Sequence, residues 1–69
     1  MEELFLNVPE YVRRKTNFWV DMAMHEDTLI GALNIIQNYM KSLDDQENRD
    51  YVAFVFMIKM EEQHANNTD

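Results

Sequence analysis

The sequence predicts an all-α fold: three helices in an antiparallel arrangement, completed by homodimerisation into a helical bundle. Three observations predict it. One Gly and one Pro in 69 residues leave too few turn formers for an all-β chain. Two stretches repeat their apolar residues at three- and four-residue spacing. A third, Tyr51 to Ile58, is apolar without interruption, and 46% of the chain is hydrophobic, more than so short a monomer easily covers. Below about 70–80 residues a single core rarely supplies more than about 3–5 kcal/mol, so small domains usually add a staple. The chain has no Cys, which excludes disulfides, zinc-finger sites and thiol nucleophiles and leaves association as the staple.

Residues 1–7 read as an N-terminal arm tipped by Leu4, Phe5 and Leu6, short enough to fold back onto a groove. Asn7-Val8-Pro9-Glu10 is an N-x-x-E capping box with Pro in the first turn, so the first helix is predicted over 8–24. Tyr11, Val12, Phe18, Trp19 and Met22 form its apolar stripe, with the Lys15 stem lying along it. Val20 and Met24 fall on the other side, where a lone small domain has little use for them.

His25 to Thr28 is a polar break with Asp27 or Thr28 as the next cap. It holds no Gly or Pro, so one long bent helix over 8–43 competes with two separate ones. The second helix, over 28–43, carries Leu29, Leu33, Ile36, Met40 and Leu43 at a/d spacing, widened by Ile30, Ile35 and Tyr39. Gly31 and Ala32 are small enough to let another helix approach. Asp44, three residues before Glu47, repeats the capping pattern and opens a third helix over 46–65. Tyr51 to Ile58 alone could be a buried strand, but its helix-compatible flanks and the lack of a partner strand favour a helix. Such a helix is apolar all round and calls for burial on every side. Residues 65–69 read as a frayed polar tail, and residues 1–69 as one domain.

Chemistry is sparse. Glu61-x-x-His64 and Asp21-x-x-x-His25 have carboxylate–imidazole spacings that a dimer could double into a metal site, but no inward Glu lies on the second helix, so side chains facing solvent are the simpler reading. Ser42 is the one Ser and has no His near it in sequence, and one Gly cannot build a phosphate loop, so no enzyme and no cofactor are expected. The formal charge of −7 disfavours direct nucleic-acid binding. The one basic cluster, Arg13-Arg14-Lys15, reads as a solvated helix face. Glu2 and Glu3 after Met1 are unlike a secretory signal, and no apolar run reaches the roughly 20 residues of a membrane span, so a cytoplasmic location without membrane contact is expected. The six Met residues read first as core filler and second as an adaptable binding surface.

Glu3-Leu4-Phe5, Val8-Pro9, Glu26-Asp27 and Ala32-Leu33-Asn34 resemble the pattern of the YvfG-type small helical proteins of Bacillus, over residues 3 to 46 and with gaps. The third helix departs from that pattern in being far more apolar. The resemblance implies an all-helical, self-associating protein and no particular biochemical role.

The function expected is that of a non-catalytic acidic regulator or inhibitor that docks on a larger protein, similar in type to phage or prophage accessory proteins. Val20, Met24, Val52, Phe54, Val55, Phe56 and Ile58 are the candidate interface residues of the homodimer. The alternative is an acidic nucleic-acid mimic that blocks a basic groove through Asp44, Asp45, Glu47 and Asp50.

Overall fold

The computed structural model describes residues 5–67, with side chains from Phe5 to His64. Three helices run in order: α1 over Glu10–Met24, α2 over Leu29–Lys41 and α3 over Gln46–Asn67, and the described residues contain no strand. Tyr51–Ile58 is therefore helical. None of these helices is long and apolar enough to cross a membrane. The expectations for Leu4, and for the tail beyond Asn67, lie outside the described residues, and α3 itself continues past residue 65.

The helix ends follow local chemistry. Pro9 occupies the N-cap of α1 with φ −65° and ψ 158°, and no side chain caps the helix, so the Asn7 box does not form. The Pro9 carbonyl instead accepts the Val12 and Arg13 amides at 3.1 Å each, and the fixed φ of proline sets the entry to the first turn. The chain leaves α1 at His25, which settles residues 8–43 as two helices. Thr28 caps α2, its Oγ1 accepting the Gly31 amide at 3.0 Å. At α3 the cap is Asp45 rather than Asp44: its carboxylate accepts the Glu47 amide at 3.0 Å, while its carbonyl accepts the Arg49 amide.

The N-terminal halves of α1 and α3 meet through Arg13 and Tyr51. At the other end Met24, Leu29 and Met60 line one recess. The order is thus up, down, up, with α1 packed against both other helices, which meet each other less. The core is Val20, Ala23, Ala32, Ile36, Tyr39, Val52 and Phe56, and Val8 and Val12 are also buried. At its α1–α2 side Thr16, fully buried, lies 3.2 Å from the Tyr39 hydroxyl, and that hydroxyl donates to the Val12 carbonyl at 3.3 Å. The only buried polar side chain among the described residues is therefore satisfied.

Two expected faces are corrected here. In α1 the buried row is Val12, Thr16, Val20 and Ala23, whereas Tyr11 and Phe18 are 60% and 56% exposed and Met22 also faces out. In α2 the core takes Ala32, Ile36 and Tyr39, and leaves Leu29 and Leu33 of the expected seam exposed. For α1 the reason is its place between the other two helices, whereas α2, which packs chiefly on α1, buries the larger Ile36 and Tyr39. A helix flanked on two sides brings its neighbours close only if its contact row is small, because interaxial distance follows the side chains at the crossing. Val, Thr and Ala suit that position, and Tyr and Phe do not.

Candidate interaction surface

Val20, Val52 and Phe56, expected at an interface between chains, lie in the core of the single chain, and Met24 and Val55 pack against it. Val20 is on the inner side of α1, not on a spare outer one. Phe54 and Ile58 are different: they are 43% and 40% exposed, and Met57, which the sequence reading left out, is 63% exposed. These three residues, at i, i+3 and i+4, lie about 180° around α3 from Val52 and Phe56. Among the described residues the Val52–Phe56 side of α3 is the one that enters the core, and the outer row stays exposed. Met57 was legible from its spacing to Phe54, since an all-round apolar helix that is half buried must present such a row.

The arm reaches the same surface. Phe5 rests against Tyr51 and Phe54, ring centroids 5.5 and 5.3 Å away. Phe5 has φ 66°, a left-handed conformation that a bulky residue adopts only when its surroundings hold it there. Arg13 does the holding. Its Nη2 donates to the Phe5 carbonyl at 2.6 Å and its Nε to the Val8 carbonyl at 3.2 Å, while its guanidinium sits 5.2 Å over the Tyr51 ring. This part-buried side chain departs from the solvated role expected for Arg13-Arg14-Lys15; Arg14 keeps that role, with an exposed 3.9 Å pair to Glu10.

Arg13→Ala is accordingly expected to release the arm and cost about 1.5–3 kcal/mol, the range for charge-assisted hydrogen bonds. Arg13→Lys should recover little of it, because an ammonium cannot reproduce the two-carbonyl fork or stack as a plane. Amide exchange at Val8 and urea unfolding would check both; unchanged exchange in Arg13→Ala would show that the clasp does not hold the arm.

Charge is arranged around the same row. Glu47, Asp50, Phe54, Met57, Ile58 and Glu61 fall within an arc of about 100° on α3, and every charged side chain in that arc is a carboxylate. Lys59 projects elsewhere and lies 4.0 Å from Glu62. The α3 outer face therefore presents an apolar patch with acid at both ends. Of the acids weighed for nucleic-acid mimicry, Asp45 caps α3, while Asp50 is exposed and accepts from Gln46 at 2.8 Å on the helix surface. Arg49 stands among them, donating to the Leu43 carbonyl and, at 2.9 Å, to Gln46, which dilutes the negative charge of the stretch.

The residues weighed for metal and catalysis are not assembled. His25 Nδ1 is 2.8 Å from the Asp21 carbonyl oxygen rather than its carboxylate, and Ser42 Oγ donates to the Tyr39 carbonyl at 2.6 Å. Among the described residues no three His, Cys, Asp or Glu side chains cluster as a metal site. An open groove of about 440 Å³ between α1 and α2 has walls of Trp19, Ile35 and Tyr39, with Lys15, Asn38 and Ser42 at its edge. Trp19 stacks on Tyr39 at 6.2 Å and meets Phe18 edge-on at 5.1 Å, so the groove is the outer edge of core packing. No protein-family model, curated protein or solved structure matches the chain.

Proposed function

We propose that this is a non-catalytic regulator or inhibitor that acts by docking the outer face of α3 on another protein chain. One observation carries the reading: Phe54, Met57 and Ile58 form an exposed apolar row opposite the core-facing side of the same helix. Single exposed apolar residues are ordinary on a protein surface, whereas a contiguous row that stays 40–63% exposed even with Phe5 packed on Phe54 is typical of a contact with another molecule. The covering chain is either a second copy, giving the homodimer expected from the sequence, or a different and larger protein.

A photo-cross-linking residue placed at position 57, with a control at the exposed polar position 34 of α2, tests the reading in native extract and in purified protein. Discrete adducts from position 57 and none from position 34 are expected. An adduct of twice the chain mass in purified protein marks the homodimer, and an adduct formed only in extract marks a different partner. Equal labelling from the two positions would remove α3 as the docking face.

A further inference from the structure

We infer that the outer face of α3 receives an amphipathic helix of another protein, one that carries Lys or Arg at both ends of a short apolar row. This rests on the proposal that the face is a docking surface, and it names the occupant. The apolar centre is Phe54, Met57 and Ile58, exposed on the side of α3 away from the core. Asp50 lies one helical turn before that centre and Glu61 one turn after it, with Glu47 a further turn before Asp50, all on the same side.

That pattern discriminates between occupants. Two copies pairing this face antiparallel, centred on the apolar row, set Asp50 of each against Glu61 of the other. Paired parallel, each acid meets its own copy. Both arrangements oppose like charges beside an apolar contact, where such juxtaposition suppresses association. A helix with the opposite sign at its ends meets the carboxylates favourably in either direction while its apolar residues cover Met57. The incoming helix would lay its own apolar residues, at i, i+3 or i+4, and i+7, on Phe54, Met57 and Ile58. Phe5, packed on Phe54 and Tyr51, closes one side of the row and gives the incoming helix an edge to lie against. Met57 at the centre supplies an unbranched side chain that adapts to the shape of what covers it.

The test uses the full chain and two labelled synthetic helices of about 18 residues, long enough to hold helical structure when bound. Both carry the same Leu row; one has Lys and Arg flanking it and the other Glu at those positions. Fluorescence anisotropy at low salt is expected to favour the basic-ended helix by about tenfold, as a few exposed ion pairs of ordinary strength would give. The preference should shrink as salt is raised. Asp50→Asn with Glu61→Gln should remove most of it while circular dichroism stays unchanged, since both side chains are exposed. Met57→Gln with Ile58→Gln should abolish binding of both helices.

Equal binding of the two helices, or a preference that survives Asp50→Asn with Glu61→Gln, would overturn the inference. Binding of neither helix would overturn it too. In that case adducts from a cross-linker at position 57 would leave the docking face standing, and their absence would remove both. A sedimentation profile in which purified protein self-associates and Met57→Gln with Ile58→Gln makes it monomeric would assign the face to a second copy and overturn the basic helix.

Discussion

Phe56→Ala is expected to leave the chain unfolded, or nearly so, at room temperature. Phe56 is 8% exposed and, with Val52, is how α3 enters the core. Truncating a buried Phe to Ala costs about 3–5 kcal/mol, from lost transfer energy and the cavity left behind. That equals the whole stability usual for a single core of this size. Far-UV circular dichroism and urea unfolding would show the loss directly. A Phe56→Ala protein as stable as the parent would mean that α3 is held by something other than its Val52–Phe56 side. Met57→Ala is the matched control on the opposite side of the same helix, and at 63% exposure it should change stability little.

The second large effect lies at Tyr39. This side chain stacks on Trp19, reaches the fully buried Thr16 and donates to the Val12 carbonyl, so it joins α2 to α1 both by packing and by polar contact. Tyr39→Ala should cost about 3–5 kcal/mol by the same cavity argument. Tyr39→Phe keeps the ring but loses a hydroxyl with two buried contacts and strips Thr16 of its partner, and should cost about 1–3 kcal/mol. Thr16→Val, combined with Tyr39→Phe in a double-mutant cycle, separates the two parts, because the polar contact requires both hydroxyls. Additive losses would show that the Thr16–Tyr39 contact contributes no coupling. Trp19 is the only Trp in the chain and stands on Tyr39, so its fluorescence reports this junction while circular dichroism reports all three helices.

Much of the architecture was legible in the residues. Thr28 was one of the two caps the residues offered, the polar residues at 25–28 and from Asp44 marked the turns, and the flanks of Tyr51–Ile58 decided helix over strand. What was not legible was which side of each helix faces in. Weighing side chains by apolar size placed Tyr11, Phe18 and Met22 in the core, and the packing of a central helix chose Val12, Thr16, Val20 and Ala23. A Thr is invisible to that weighting, and only the Tyr39 hydroxyl, a residue of another helix, makes its burial inexpensive. Ala32 was the usable hint, since a small residue suits close packing and Ala32 is buried in the core, whereas Gly31 faces Glu26 and Thr28 of the preceding turn.

The candidate surface divides the same way. The excess of apolar residues in α3 pointed to a contact beyond the chain, and Phe54 and Ile58 are exposed as such a contact requires. Val20, Val52 and Phe56 did not belong with them, since one chain of three helices already encloses these residues. The carboxylates of α3 carry a message only when they are mapped onto the helix, because Glu47, Asp50 and Glu61 are scattered in sequence and share a side only at 3.6 residues per turn.

The central position of α1 governs how the molecule is born as well as how it stands. On the ribosome α1 emerges first, and α2 can close on it as soon as Tyr39 is out to meet Thr16 and Trp19. The rest of the core must wait for Val52 and Phe56, which are made last. Until then the nascent hairpin keeps apolar surface open to water and to neighbouring chains, the situation in which unfinished domains go astray. The interval by which Val52 and Phe56 lag behind the first two helices thus sets how long the newborn hairpin is vulnerable.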